Sequence, residues 1–425
     1  MKRRTARILT FIAVLCSFAA SGHAASRVWV AEGEGMIEYD PSTWAKIGRI
    51  EIPGEVSRNP ERFQATHSGA MLFRAPSSSI FEIPKENPEP EKAWIWNGRM
   101  ISSLEVRCTR AVASAVECRE SVQESCPGMA MSKEGRDLFW FANEYNLVRQ
   151  VDGPDISAST VFRIWETDLS GEHPVQLATF AFPPCVCATG VCVETCPEAS
   201  LWFPAGGIDD FFIVNHFIPG QLSTTYQGSY LYRRIQGDWI AEEYGQAFET
   251  VLDADQGGNR VLHAIHDSGC CGWDNDSNDQ TLLTTEDKSL VIFDERQRYS
   301  NSNYDVSFYT SMARLSPGGS KVAISINISQ YAQDPIRLSS SGTENSEELA
   351  RIQKAIESMP SVEVIQASNP GSPLMSIPNT TLAGWLNEKE ILLVREGVLV
   401  QCDTDTGTCQ NTPVNVGKDD YVFIR

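Results

Sequence analysis

The chain has 425 residues, with 55 Asp and Glu against 35 Lys and Arg and a formal net charge of −20. A surface of that sign repels nucleic-acid phosphates and anionic lipid, so a nucleic-acid partner is excluded. It suits cations, neutral glycans or basic proteins.

Residues 1–25 read as a secretory signal. Lys2, Arg3, Arg4 and Arg7 precede an apolar stretch from Ile8 to Ala20, and Gly22-His23-Ala24 or His23-Ala24-Ala25 offers small residues for cleavage. The stretch is too short to span a bilayer, and no other segment is apolar enough. A periplasmic or secreted protein without a membrane span is expected. Cleavage would remove four positive charges and no acid, taking the net charge to −24. Of twelve cysteines, eleven follow the signal. In an oxidising compartment that number argues for disulfides.

Residues 26–425 read as one repeating domain. Val28-Trp29-Val30-Ala31-Glu32, Met36 to Asp40 and Ile47 to Ile52 form a blade that lacks its innermost strand. Beyond it a phrase recurs: an apolar run, a polar turn and a second apolar run, clearest from Gly128 to Phe141, Met312 to Ile326 and Ala383 to Val394. Six copies can be aligned on their turns, at Ser68-Gly69, Ser132 to Gly135, Pro204 to Gly207, Asp274 to Gln280, Ser316 to Gly319 and Leu386 to Glu390. The fifth is anchored by Gly272-Trp273, which matches Gly384-Trp385. Spacings of roughly 60–70 residues exceed the ~40–45 of a compact blade, so insertions are required. Pro84 to Glu91 reads as a surface loop. Asn345 to Ser358 reads as a helical insertion, with Ser346 as cap and Leu349, Ile352 and Ile356 on one face. Tyr421 to Arg425 supplies the strand missing from the first blade, closing the ring and removing exposed edges. The expectation is an all-β, seven-bladed β-propeller with a helical insertion near residues 345–358; six blades is the alternative.

Leu315-Ser316-Pro317-Gly318-Gly319-Ser320-Lys321-Val322-Ala323 resembles the repeat of TolB-like and WD40-like bacterial propellers, with Gly318 where the repeat carries Asp. Trp29 to Pro53, with Tyr39-Asp40-Pro41-Ser42-Thr43, resembles the related YVTN-type repeats. The resemblance implies architecture over most of the chain and no particular activity.

In such a ring the links from second to third strand share one face. The segments Asn143 to Ser159, Asn215 to Gly228 and Asn327 to Ser361 read as three long loops there, and Glu32, Glu286 and Glu396 as the same corner in other blades. Candidate ligand contacts are Asn143, Tyr145, Asn215, His216, Tyr226, His266, Asp267, Asn327 and Tyr331, since Tyr and His offer flat area with a polar tip. Asn and Glu are also ordinary turn and surface residues.

Asp274-Asn275-Asp276-Ser277-Asn278-Asp279 offers alternating oxygens for a hard cation, so Asp274, Asp276, Asn278 and Asp279 are candidate calcium ligands. It lacks an EF-hand's sixth-position Gly and closing Glu, and in a first-to-second hairpin an acidic, solvated turn is the ordinary reading. The spacing of Cys185, Cys187, Cys192 and Cys196 fits no standard metal site. The Cys270-Cys271 pair reads as structural bracing. His263 and His266 lie three apart, so on a strand they face opposite ways. Two local disulfides are expected, Cys402–Cys409 around Asp405-Thr406-Gly407 and Cys108–Cys118. No Gly-x-Ser-x-Gly elbow occurs, and no resident cofactor is expected. The functional expectation is a non-catalytic module binding a protein or glycan. The alternative is a propeller enzyme, a metal-assisted lyase or hydrolase acting on saccharide or peptide.

Overall fold

The structure is a computed structural model that describes residues 27–32, 35–54, 63–66, 68–74, 91–106, 109–113, 129–149, 156–169, 174–181, 185–187, 198–204, 207–208, 210–218, 225–244, 248–255, 257–267, 278–285, 288–294, 308–328, 361–417 and 420–424. Blade 1 contributes β1 (Val28–Glu32), β2 (Gly35–Tyr39) and β3 (Lys46–Glu51). Blade 2 is β4 (Phe63–Ala65), β5 (Met71–Arg74), β6 (Glu91–Trp96) and β7 (Ile101–Val106). An added strand, β8 (Thr109–Ala113), precedes blade 3, which is β9 (Met129–Met131), β10 (Asp137–Arg149), β11 (Ile156–Asp168) and β12 (Val175–Ala181). A further short strand is β13 (Cys185–Cys187). Blade 4 is β14 (Glu198–Trp202), β15 (Phe211–Ile218), β16 (Thr225–Ile235) and β17 (Asp238–Glu243). Blade 5 is β18 (Thr250–Ala254), β19 (Arg260–Asp267), β20 (Asn278–Thr285) and β21 (Ser289–Asp294). Blade 6 is β22 (Phe308–Leu315), β23 (Lys321–Ile328), β24 (Val362–Gln366) and β25 (Asn369–Ile377). Blade 7 is β26 (Thr381–Trp385), β27 (Glu390–Arg395), β28 (Val398–Asp403) and β29 (Cys409–Asn415), and the last strand is β30 (Val422–Ile424). These make seven antiparallel sheets, with parallel β8 as the exception.

β30 pairs antiparallel with β1, Val28 opposite Ile424, and so becomes the innermost strand of blade 1. The N-terminal blade is completed by the C-terminal strand, as the sequence predicts. The chain is a closed seven-bladed β-propeller.

Apolar clusters fill the seams, which is why second strands such as Leu138-Phe139-Trp140 and Val322-Ala323-Ile324 are apolar on consecutive residues: both faces are buried. Trp29 and Met36 meet Phe63 and Phe73; Leu72 and Ile95 meet Met131 and Leu138; Ile164 meets Phe212 and Tyr232. Ile213 and Leu231 meet Phe248 and Val261; Leu262 and Phe293 meet Ala313 and Ile324; Val364 meets Leu382 and Leu393. Val30 and Ile37 meet Leu392 and Val414, which seals the ring.

The recurring polar turn has a physical cause. Ser132 Oγ accepts hydrogen bonds from Arg136 N (3.1 Å) and Asp137 N (3.0 Å), and Ser316 Oγ accepts one from Lys321 N (3.0 Å). Asn387 Oδ1 does the same for Lys389 N and Glu390 N. Each side-chain oxygen closes the hairpin by satisfying backbone donors. In blade 5 that role belongs to Asp255, whose Oδ1 accepts from Asn259 N (2.8 Å) and Arg260 N (3.2 Å), with Gly258 at φ 65°. The sequence alignment had placed this hairpin at Asp274 to Gln280, and that is corrected: β19 runs from Arg260 to Asp267 and β20 from Asn278 to Thr285. Trp273 suggested the wrong register because it mimics Trp385, whereas Asp255 and the Gly257-Gly258 pair carry the real turn. The third strand β20 ends at Thr285, so the second-strand corner expected at Glu286 is corrected as well; Glu286 itself lies outside the described residues.

These hairpins lie on one face, the turn face, and there neighbouring blades are stitched together. Gln64 Nε2 donates to Pro204 O (3.0 Å) and Gln64 Oε1 accepts from Met131 N (2.7 Å), so one side chain of blade 2 holds blades 3 and 4. Asp253 Oδ2 accepts from Leu315 N (2.8 Å), and Arg314 Nη1 donates to Leu252 O (2.7 Å). Burial pushes the Asp253 carboxyl above its usual range, and nearby Arg314 opposes the shift. Glu388 of blade 7 accepts from Ser316 Oγ (2.8 Å), Gly318 N (2.6 Å) and Ser320 Oγ of blade 6. Burial works to raise the Glu388 carboxyl, but these donors outweigh it and hold it below its usual value. Buried Lys321 reaches across to Thr404 Oγ1 (2.8 Å) and Asp405 Oδ1 (2.6 Å).

Candidate functional site

The opposite face, the rim, is where second strands hand over to third strands. In blade 7 that handover is the tight turn at Glu396-Gly397 between β27 and β28. Blade 3 differs. β10 and β11 each run 13 residues and stay paired from Asp137↔Asp168 to Arg149↔Ile156. The expected loop from Asn143 to Ser159 is therefore mostly a strand extension, and the expectation is corrected. The extended ladder has further partners. β8 pairs parallel with β10, Asn143↔Thr109 to Leu147↔Ala113, and β13 pairs with β11, Ile156↔Cys187 to Ala158↔Cys185. A second four-stranded tier, β8-β10-β11-β13, thus stands on the blade proper, β9-β10-β11-β12.

Topology fixes which way this tier faces. β11 occupies one edge of β10 along its whole length, so β8 and β9 share the other. β9 is the first, innermost strand of its blade. β8 therefore lies on the axis side, above β9, and β13 on the outer side.

The other rim candidates have diverse fates. Asn143 and Tyr145 are opposite Phe162 and Thr160 within the tier. In blade 4 the segment Asn215 to Gly228 is also largely strand, since β15 continues to Ile218 and β16 starts at Thr225; Tyr226 is opposite Phe217. Asn215 is buried, accepting from Ser229 Oγ at 2.8 Å, while Ser229 Oγ accepts from Phe248 N at 2.7 Å. It fastens the seam between blades 4 and 5 and is not offered to a ligand. The His216 ring packs 4.6 Å from that of Tyr230, and burial lowers its pKa to about 4. Asn327, at the end of β23, is exposed. Glu32 and Glu396 are exposed at the corners of blades 1 and 7.

The corrected register of blade 5 joins two groups that the sequence reading kept apart. His266 is opposite Asp279 and Asp267 opposite Asn278, at the rim ends of β19 and β20. The calcium candidates Asn278 and Asp279 so belong to the rim and not to the turn face; Asp274 and Asp276 lie outside the described residues. His263 lies deeper in β19 and is buried, with Nε2 3.0 Å from Thr284 Oγ1, which is 2.8 Å from Ser289 Oγ. Its Nδ1 has no hydrogen-bond partner among the described residues. Burial lowers its pKa to about 4, so it is a neutral core residue at pH 7.

Cys402 and Cys409 form the expected disulfide, Cα–Cα 4.1 Å, across the β28–β29 hairpin. Asp403 Oδ1 shapes that hairpin by accepting from Asp405 N (2.9 Å) and Thr406 N (2.8 Å). Cys108, Cys118, Tyr331 and the helix expected near 345–358 lie outside the described residues. Sequence reasoning missed β8 and β13 altogether. Thr109 to Ala113 carries a short β-pattern, and in Cys185-Val186-Cys187 the thiols draw attention away from the backbone.

A seven-bladed propeller with one enlarged blade is the class these features define. No protein-family model matches the chain, and neither does any curated protein. Among solved structures, similar ones include a candidate 6-phosphogluconolactonase from Bacteroides fragilis, at 9 % identity and TM-score 0.43, covering 96 % of this chain and 100 % of that one. Another is the dihydro-heme d1 dehydrogenase NirN in complex with DHE, at 10 % identity and TM-score 0.39, covering 93 % and 74 %. A candidate TolB from Agrobacterium tumefaciens shares 10 % identity at TM-score 0.33, covering 94 % and 98 %. At these values none of them assigns an activity to this chain.

Proposed function

We propose that this propeller is an exported, non-catalytic binding module that captures a protein or glycan of the cell envelope or extracellular space on its rim. The observation that supports this most is the asymmetry of blade 3. The ring closes without the tier, so its strands serve something other than closure, and outgrowths of a rigid scaffold are where recognition residues concentrate. The acidic balance of 55 against 35 charged residues suits a neutral or basic partner. The residues expected to contribute are Asn143, Tyr145, Tyr226, Asn327, Tyr331, His266 and Asp267. Asn215 and His216 act by holding the wall of blade 4.

Alanine replacement of Tyr145, Tyr226 and Asn327 should leave the melt unchanged and weaken capture from exported proteins or a glycan array. Undiminished capture by the triple variant would refute the rim assignment. Turnover of a saccharide or peptide library by the purified protein would replace the non-catalytic reading with the enzymatic one. Export is tested by sequencing the N-terminus of the protein recovered after expression in a bacterial host, which should begin after Ala24 or Ala25.

A further inference from the structure

The seams between blades answer differently to acid, because each is closed by a different kind of group. We propose that mild acidification opens the ring at one place, the seam between blades 4 and 5, while the other seams stay closed. This device operates whatever the rim binds.

His263 is the group at that seam. It sits on β19 opposite Val251 of β18 and Leu282 of β20, and it is 1 % exposed. Its ring packs 4.5 Å from that of Phe248, which stands 4.7 Å from that of Tyr244. Phe248 fastens the link from blade 4 into blade 5. Its ring belongs to the seam cluster, and its N–H donates to Ser229 Oγ of β16 at 2.7 Å. Nε2 of His263 lies 3.0 Å from Thr284 Oγ1, and Nδ1 has no hydrogen-bond partner among the described residues. A proton on this ring places a positive charge against Phe248 and the apolar seam.

The charged groups of the surrounding elements are committed elsewhere. Asp253 of β18 accepts from Leu315 N in the next seam, and Arg260 of β19 donates to Gly319 O. Arg233 of β16 pairs with Glu242 of β17 at 3.0 Å, and Asp255 caps its turn by accepting from Asn259 N. Asp294 of β21 accepts from Gln280, Lys288 is exposed, and His266 and Asp267 lie at the rim end of β19. Tyr244 donates its hydroxyl to Gly258 O. Burial lowers the His263 pKa from 6.5 to about 4, and no carboxylate opposes it.

The sign of the effect separates the seams. Between pH 6.5 and about 4 an opened seam takes up the proton on His263 and a closed one does not, so falling pH favours opening. Burial raises the Asp253 carboxyl in the seam between blades 5 and 6, so acid favours the closed form there. Burial works to raise Glu388, between blades 6 and 7, but its donors hold it below 4.5, so its contribution begins to fall only below that value. His216 also titrates near 4, but it is only partly buried against Tyr230, and water reaches it with less rearrangement. The pairing of β30 with β1 carries no titrating group of this kind and holds the ring, so one seam can part without global unfolding.

The test is hydrogen exchange by mass spectrometry on the full chain at pH 7 and pH 5, with times scaled for the intrinsic pH dependence of amide exchange. Protection over 248–254 and 260–265 should fall by about twentyfold at pH 5, while 321–326 and 390–403 keep theirs. His263→Gln, neutral at both pH values, should remove the difference. Proton NMR titration of His263 in the unmodified chain decides the matter if that variant does not fold: a value near 4 is expected, and one near 6.5 overturns the proposal. Equal loss of protection in every blade would mean global destabilisation, and the proposal falls. It falls equally if 248–254 and 260–265 are unchanged, if the loss persists in His263→Gln, or if it appears at 211–216 instead.

Discussion

The seam between blades 6 and 7 and the tier on blade 3 use the same backbone pattern for opposite ends. At the seam, Glu388, Lys321, Thr404, Asp405 and the Ser316 turn satisfy one another across two blades, and Trp385 Nε1 donates to Arg314 O at 3.1 Å. Lys389 adds a second cation 3.2 Å from Asp405. That surface is committed to holding the ring. In the tier, β10 and β11 run on past the blade proper and gather β8 and β13 by backbone pairing. The contrast separates hydrogen bonds made between blades, which hold the ring, from a strand ladder built within one blade, on which the proposed recognition surface rests.

The sharpest way to break the comparison is to open the scaffold. Deleting Val422 to Ile424 strips β1 of its inner partner and removes Phe423, whose ring is 3.7 Å from that of Phe63. The cooperative melt should be lost, whereas a low-amplitude change would show that the termini do not close the ring. Next in size is Gly135→Ala. Gly135 has φ 66°, and a Cβ there would meet Ala70 Cβ at 2.6 Å, so a cost of about 2–4 kcal/mol is expected in denaturant melts. Gly407→Ala is the control: φ is 72° but nothing lies within 4 Å, so only the backbone term of about 1 kcal/mol should appear.

Reducing Cys402–Cys409, seven residues apart, should cost about 2–3 kcal/mol in the loop-entropy view. Acid comes next. The folded pKa of His263 is lowered from 6.5 to about 4 by burial, so the unfolded chain takes up the proton first. Its contribution is therefore complete above pH 6.5, declines as pH falls towards 4, and changes no further below that. Between pH 7 and pH 5 this amounts to about 2 kcal/mol, and His263→Leu should remove that share of the slope and leave the similar share of His216, whose pKa burial also lowers to about 4. An unchanged profile would refute the assignment of a neutral buried imidazole. Smallest is the tier itself: Tyr145→Ala should shift stability by about 0.5 kcal/mol or less.

Blade count, closure and the Cys402–Cys409 hairpin were legible because each leaves a local mark. Polar turns need Ser or Asn oxygens and left-handed Gly, and an unpartnered terminal strand must go somewhere. Blade 5 misled because its turn is built on Asp255 and Gly258, not on the Ser phrase, and a stray Trp273 imitated Trp385. The tier was illegible for another reason. Parallel pairing of β8 with β10 joins residues more than thirty positions apart, 109 to 143, and no local pattern encodes such a contact. Likewise Asn215 looked like a rim residue because Asn favours corners, yet a Ser229 hydroxyl on the facing strand turned it into a seam fastener.

On the reading proposed above, the blade 3 tier is a recognition surface borne by an independent scaffold. Joining Ala142 to Arg163, which are opposite each other across β10 and β11, through an Asn-Gly turn would remove the strand extension on which β8 and β13 pair, at the loss of only the Val161 and Phe162 pairs with β12 from the blade proper. Melting of the trimmed protein, alongside capture from exported proteins and glycans, tests both halves together. The expected result is a cooperative melt close to that of the full chain with capture abolished. Loss of the cooperative melt, or undiminished capture by a folded trimmed protein, would contradict the claim.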